Sequence, residues 1–338
     1  MTPPGASGTT LPALVLTAGL GTRLEPLTSI RAKGAVPVNG DTLARRVIRW
    51  LVSQGIRDLV LNLHHKAASI TASVGDGSDL GARVRYSWEN PVLGSAGGPR
   101  HALPLLVDTA TAKTQEPAAK SQQPFLIVNG DTLTNVNVAD MLSAHVASGA
   151  IVTMALIRNP RPDKYGGVVV GEDGWVTGFT RAGLAHPSYH FVGVQIAEPR
   201  AFQSLNDGVP SETVNGIYRQ MMATDAHSVA GFICEASFRD IGTPVDYFET
   251  SLNLAELEGD HLANGRRVEI HPTASVVRTA IWDDVKIGAA AKLNECIVCD
   301  GAEIPAGARY QRCAILSAAG GTAVGKQRIE GSLLIAEF

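Results

Sequence analysis

Leu14-Val15-Leu16 runs without a break into Thr17-Ala18-Gly19-Leu20-Gly21-Thr22-Arg23-Leu24. Three apolar residues followed by a glycine turn predict a short buried strand that stops abruptly. The same grammar recurs along the chain. Asp41 stands where a helix cap belongs, Leu43, Val47, Ile48 and Leu51 share one helical face, Gly55 follows as a C-terminal cap, and 59–63 is again apolar. Further on, Phe125-Leu126-Ile127-Val128 predicts a strand, 138–148 a helix, Gly149 its cap and 151–157 the next strand. Short, continuously apolar strands alternating with helices predict an α/β fold whose mainly parallel sheet is covered on both faces. Ligands of such sheets lie beyond the C-terminal ends of the strands, so the turn at 17–23 and Asp131, just after the strand at 125–128, are the first candidates for a site.

After about residue 258 the pattern changes. Ile270, Val276, Ile281, Ile287, Leu293, Val298, Ile304, Tyr310 and Ile315 recur every five or six residues, with Gly-, Ala- and Pro-containing turns between them. A period near six fits a hexapeptide β-helix of about three coils, each strand turning one apolar side chain inward. The expected organisation is a tail at 1–10, a catalytic domain at 11–258, a linker at 259–267 and the β-helix domain at 268–338. The polar stretch 108–123 is expected to be a surface insertion.

Composition narrows the function classes. The 338 residues are 45% hydrophobic and 18% charged, enough apolar material for full cores. A net charge of −3 offers no general attraction to nucleic acid or anionic membranes. The longest apolar runs fall far short of the ~20 residues that span a bilayer. The first ten residues, MTPPGASGTT, lack a basic segment followed by a long apolar one, so no secretory signal is expected. Four cysteines make no disulfide framework, and a cytoplasmic location is expected. Cys296 and Cys299 form a single C-x2-C pair with no second pair at zinc-site spacing, and His64-His65 after a strand read as structural.

The glycine turn is neither a dinucleotide fingerprint, because Leu24 takes the place of the third glycine, nor a Walker A loop. The Walker-like string at 320–326 ends in Gln327 instead of a hydroxyl residue, and no helical pattern follows it. With Thr22-Arg23, Pro26-Leu27-Thr28 and Lys33 attached, LTAGLGTRLEPLTSIRAK resembles the opening of the sugar-1-phosphate nucleotidyltransferase family. Four further stretches agree in order: 60–65; Glu89 with Leu93-Gly94-Ser95-Ala96-Gly97-Gly98; Val128-Asn129-Gly130-Asp131; and Phe238-Arg239-Asp240-Ile241-Gly242-Thr243-Pro244. The C-terminal repeats are similar to those of the mannose-1-phosphate guanylyltransferase-like branch. The resemblance implies a Rossmann-like catalytic domain followed by a short left-handed hexapeptide β-helix. It implies transfer of a nucleotidyl group from an NTP to a sugar 1-phosphate, with Mg²⁺ as cofactor and pyrophosphate as the second product.

By that resemblance Leu16, Ala18, Gly19, Gly21, Thr22, Arg23, Glu89, Ser95, Ala96 and Gly97 bind the nucleotide. Arg23, Lys33 and Asp131 carry catalysis, Asp131 and Asp240 hold the metal, and Gly166, Thr180, Arg181 and Gly193 face the sugar phosphate. These residue types suit the chemistry. A phosphate nucleophile with a second pKa near 6 is already mostly deprotonated, so no general base is required. The obstacle is repulsion between polyanions, about 4 kcal/mol per pair of unit charges 4 Å apart at an effective dielectric of 20. An arginine fork suits the β- and γ-phosphates, a lysine the α-phosphate or sugar phosphate, and carboxylates suit Mg²⁺. A carboxylate at Glu89 matches the N1/N2 edge of guanine, which favours GTP over UTP or dTTP.

Two departures from the family pattern stand out. Ala32-Lys33 replaces Pro-Lys, and Thr180-Arg181 replaces the usual Glu-Lys pair that grips the sugar and its phosphate. The second leaves open a non-catalytic relative that senses sugar nucleotides, and the repeats leave open an acyltransferase. The β-helix is expected to pack subunits into a homo-oligomer. No nucleic-acid or membrane partner is expected.

Overall fold

The computed structural model describes residues 11–107, 123–184, 187–259, 263–318 and 323–338. The expected tail at 1–10 and residues 108–122 of the expected insertion lie outside the described residues. Two compact units are present, one comprising Met1–Gly19, Val47–Ala67 and Val74–Phe238, the other Leu20–Arg46, Ala68–Ser73 and Arg239–Phe338. Segment 20–46 and the helix at 244–257 associate with the C-terminal repeats through long-range packing that local patterning does not reveal.

The first unit is built on nine strands: β1 (Ala13–Leu16), β2 (Asp58–Leu63), β3 (Arg83–Trp88), β4 (Phe125–Asn129), β5 (Val152–Arg158), β6 (Gly167–Val170), β7 (Val176–Thr180), β8 (Tyr189–Ala197) and β9 (Val229–Ile233). Strands β3-β2-β1-β4 run parallel, with Leu14 opposite both Val60 and Ile127. The sheet then turns antiparallel, as β8 pairs with β4, β5 and β6. The β6–β7 pair is antiparallel, and β9 runs parallel to β5. The parallel half is the one its apolar runs predict. Leu14, Val60, Phe125, Ile127, Met154 and Leu156 are fully buried or nearly so, each such side chain contributing about 1.5–3 kcal/mol of burial free energy.

Helices close over these strands with readable ends. In α1 (Leu43–Ser53) the expected apolar positions Leu43, Val47, Ile48 and Leu51 are all buried. Gly55 takes φ 83° behind it while the Ile56 amide donates to Leu51 O. Asp41 accepts from the Thr42 amide and from Arg45, which braces the helix start. Helix α2 (Gly94–Leu106) packs on the parallel strands. Helix α3 (Val138–Ser148) is capped by Asn137, whose Oδ1 accepts from the Ala139 and Asp140 amides, and ends at Gly149 with φ 66°.

In the second unit, parallel strands stack with a 17-residue offset. Ile270, Ile287 and Ile304 align in one stack, Val276, Leu293 and Tyr310 in another, and Ile281, Val298 and Ile315 in a third. This is the β-helix its six-residue period predicts. Ile270 and Val276, on the first coil, are half-buried, and the seven later positions are buried. The repeat does not run to the end of the chain. Gln327–Glu330 and Leu333–Glu337 form an antiparallel hairpin on Cys313–Ser317, and its Leu333 and Ile335 join the repeat core. Helix α4 (Pro244–Leu257) belongs to the same unit. Its Tyr247 hydroxyl donates to Pro37 O and accepts from Trp282 Nε1, both at 2.7 Å. Arg31 reaches both Asp283 and Asp300 of the β-helix, at 2.8 and 2.5 Å.

Candidate active site

In the first unit a chain of buried hydrogen bonds ties together the C-terminal ends of β1, β2 and β3. The Thr17 amide donates to Asn62 Oδ1 at 2.6 Å, Thr17 Oγ1 donates to Asn62 O, and Asn62 Nδ2 donates to Glu89 Oε1 at 2.7 Å. The other Glu89 oxygen accepts from the Leu93 amide at 2.8 Å. Thr17, Asn62 and Glu89 are 5%, 3% and 4% exposed, so these groups are removed from water and must satisfy one another. A Cβ at Gly98 would lie 2.7 Å from Glu89 Oε1, which closes the network from the helix side. Glu89 is thus engaged on both oxygens. Its geometry is that of a strut beneath the glycine turn. Asn62, a lone polar side chain inside the apolar run 59–63, was the sequence signal for this network.

The expected nucleotide residues Ser95, Ala96 and Gly97 open helix α2, and the segment around Ser211 covers them. Ser211 O accepts from the Ala96 and Gly97 amides, and Ser95 Oγ donates to Glu212 Oε2 at 2.6 Å and accepts from the Thr213 amide at 2.9 Å. A Cβ at Gly94, where φ is +76°, would lie 2.6 Å from Glu212 Oε1, so glycine is required there. The exposed Glu212 carboxylate stands at the positive end of α2, a favourable place for an anion. Nothing in the sequence singled it out.

Asp131 stands half-buried just beyond β4, at the edge where parallel sheets bind ligands. The Gly130 amide donates to Leu16 O at 3.0 Å, and a Cβ there would lie 2.7 Å from both Leu16 O and Thr17 Cγ2. Gly130 therefore lets the turn bearing Asp131 press against Leu16 and Thr17, just before the exposed Gly19. Gly193 has φ +78° where the pairing of β8 with β5 shifts register, and a Cβ there would lie 2.8 Å from Asn129 Nδ2.

The other expected sugar-side residues, Gly166, Thr180 and Arg181, line a cavity of about 910 Å³; Gly193 is not among its lining residues. Thr180 Oγ1 accepts from the Gly167 amide, which spends this hydroxyl inside the β6–β7 pair. Sequence reading missed His190, Asn215 and Arg219 in the same wall. His190 is 9% exposed, and its ring packs against those of Tyr165 and Phe238, with centroids 4.5 and 4.4 Å away. Burial holds its pKa down to about 4, so the ring is neutral near pH 7.

The second unit carries Arg23, Lys33 and Asp240. Gly21 has φ +66°, its carbonyl accepts from the Leu24 amide and Thr28 Oγ1, and a Cβ there would lie 2.8 Å from Thr28 Cγ2 and 3.3 Å from Lys33 Cβ. The loop thus folds back so that Gly21, Thr28 and Lys33 meet, while Thr22 and Arg23 stay exposed. Ala32, in place of the family proline, keeps φ −57°, close to the proline value, and its amide donates to Ser69 Oγ at 2.9 Å. That hydrogen bond holds the turn in place of a ring. A Cβ at Gly242 would lie 2.9 Å from Asp240 Oδ2 and 3.5 Å from Arg23 Nη1, so the glycine lets both side chains approach its backbone.

No group of three or more His, Cys, Asp or Glu side chains arranged for a metal occurs among the described residues. The acidic candidates, Asp131 in the first unit and Asp240 in the second, are each a hard oxygen donor of the type Mg²⁺ takes, alongside water and phosphate oxygens.

A mixed sheet with a glycine turn and an aspartate at its C-terminal edge, in a chain that also carries an arginine–lysine loop, defines an α/β protein equipped for phosphate chemistry. A family model described as nucleotidyl transferase matches residues 12–256, and the chain belongs to that family. It is 26% identical over 311 residues to a mannose-1-phosphate guanylyltransferase of Mycobacterium tuberculosis, covering 89% of this chain and 83% of that one. It is 29% identical over 237 residues to a D-glycero-alpha-D-manno-heptose 1-phosphate guanylyltransferase of Aneurinibacillus thermoaerophilus, covering 70% and 94%. The crystal structure of HddC from Yersinia pseudotuberculosis complexed with GMP-PN has a similar fold, with a TM-score of 0.60, 20% identity and coverage of 72% and 99%. Among the described residues no helix is long and apolar enough to cross a membrane.

Proposed function

We propose that this chain transfers a guanylyl group from GTP to a sugar 1-phosphate and releases pyrophosphate. The observation that carries the reading is the junction of β1 and β4, where Gly130 brings the turn bearing Asp131 against Leu16 and Thr17 at the ligand-binding edge of the sheet. The guanylyltransferase relatives support GTP as donor.

The acceptor's phosphate oxygen attacks the α-phosphorus of GTP as pyrophosphate departs on the opposite side. Backbone amides of the Gly19–Gly21 turn offer donors to phosphate oxygens without a Cβ in the way. The Arg23 fork meets the β- and γ-phosphates and the charge growing on the leaving pyrophosphate. Lys33, placed by the Gly21–Thr28 fold, balances charge at the α-phosphate or at the incoming sugar phosphate. Asp131 and Asp240 are the residues that would hold Mg²⁺, which when bound neutralises phosphate charge and polarises the phosphorus. Arg181 takes the place of the family lysine toward the sugar phosphate. Each of these groups compensates charge or fixes an in-line approach, which is where most of the barrier lies for two polyanions.

The test is pyrophosphate release from each of GTP, UTP, dTTP and ATP with Mg²⁺ and a panel of sugar 1-phosphates. GTP is expected to give the fastest release with at least one acceptor, and EDTA to stop it. A faster reaction with UTP would overturn the choice of donor, and silence with every pair would overturn the transferase reading.

A further inference from the structure

The cavity that holds Gly166, Thr180 and Arg181 has a charge balance unlike that of a pocket for a neutral sugar. Its wall contains two arginines, Arg181 and Arg219, and no aspartate or glutamate. Neither arginine has an ion-pair partner among the described residues. Neutral sugars present hydroxyls, which carboxylates receive well, and an arginine offers donors only.

Arg219 is exposed and lies over Phe179. Its guanidinium lies 5.2 Å from the centre of the Phe179 ring, and Nη2 donates to Phe179 O at 3.4 Å. Arginine fits this role because the planar group stacks on the ring while its remaining N–H groups face outward. Phe179 lies two residues before Arg181, about 7 Å along an extended backbone, so the two cations are anchored at different points of the wall. One phosphate at the sugar's C1 accounts for Arg181 and leaves Arg219 without a counter-charge. A volume of about 910 Å³ is also ample for a hexose phosphate with a further substituent.

We infer that this subsite accepts a sugar 1-phosphate bearing a second anionic group, which Arg219 holds while Arg181 holds the 1-phosphate. The inference rests on the transferase reading above and names the substrate class of that site. A carboxylate and a second phosphate offer Arg219 the same chemistry, a pair of oxygens for a bidentate contact.

Pyrophosphate release is measured with GTP, Mg²⁺ and four acceptors: glucose 1-phosphate, mannose 1-phosphate, glucuronate 1-phosphate and glucose 1,6-bisphosphate. At least one acidic acceptor is expected to exceed both neutral ones in kcat/KM by about tenfold or more, the usual worth of a charged hydrogen bond. The faster of glucuronate 1-phosphate and glucose 1,6-bisphosphate shows which anion the site prefers. Arg219→Gln should abolish that preference and leave the neutral acceptors within about threefold of the parent protein, and Arg219→Lys should restore part of it. Neutral acceptors that match or exceed the acidic ones in the unmodified protein would overturn the inference and leave the transferase reading standing. Equal slowing of all four acceptors by Arg219→Gln would also overturn it, because both arginines would then serve the shared 1-phosphate. No release with any acceptor would overturn the reading and the inference together.

Discussion

His145 and His190 are both buried, and burial holds each imidazole's pKa down to about 4, against about 6.5 in an unfolded chain. The unfolded state therefore binds more protons than the folded one between these values. Stability contributed by the neutral rings is fully present above pH 6.5 and is lost as the pH falls from 6.5 toward 4, by up to about 3 kcal/mol per histidine. Urea denaturation at pH 7 and pH 5 checks this: the midpoint should fall at pH 5, and His145→Gln should flatten the difference. Glu89 gives a second residue-scale prediction. Glu89→Ala orphans Asn62 Nδ2 and the Leu93 amide, so stability should drop by about 2–3 kcal/mol. If the carboxylate acts only as a strut for the turn, the preference for GTP over UTP should stay within about twofold. A collapsed preference in a stably folded variant would return the base-reading role to Glu89.

Among the elements, those built from contiguous residues were legible and those built from distant ones were not. Strands β1, β2, β4 and β5 announce themselves as apolar runs, α1 by the spacing of its buried face, and the β-helix by its period. The antiparallel half of the sheet depends on β8 meeting strands on both sides, and no local pattern specifies those partners. The same reason hid Glu212 and Arg219, whose neighbours Ser95 and Phe179 lie 117 and 40 residues away. Gly130 was quoted in a motif, yet its reason is steric and visible only across two strands. Gly130→Ala would press a methyl onto Leu16 O and Thr17 Cγ2, so it should cost about 1–3 kcal/mol, as overpacking does. Because Asp131 moves with that turn, GTP turnover should fall more than stability does. The α3 cap offers a control: Asn137→Ala should cost about 1 kcal/mol and leave turnover unchanged.

Across the whole molecule, the second unit ties an early segment of the chain to its C-terminal repeats. Arg31, two residues before Lys33, binds Asp283 and Asp300, and Tyr247 links Pro37 to Trp282. The β-helix therefore braces the loop that carries the cationic side chains. Arg31→Met leaves the partly buried Asp300 without its cation and Asp283 with only Arg266 at 3.5 Å, so the loss should be about 3 kcal/mol, with reduced turnover because the Lys33 loop loses its brace. A chain truncated after Glu258 removes the same partners and should lose cooperative unfolding of the remaining segment. The expected homo-oligomer through the repeats is open to sizing of the intact protein.

The central claim is that Asp131, set by Gly130 at the edge of the sheet, is needed for nucleotidyl transfer from GTP. Its most direct test is single-turnover pyrophosphate release from GTP, with Mg²⁺ and an accepted sugar 1-phosphate, in the unmodified protein and in Asp131→Asn. The variant should fold with an unchanged urea midpoint and transfer slower by about 10² to 10³-fold, the scale of losing one charge-stabilising group. Transfer at the parent rate in the folded variant would contradict the account.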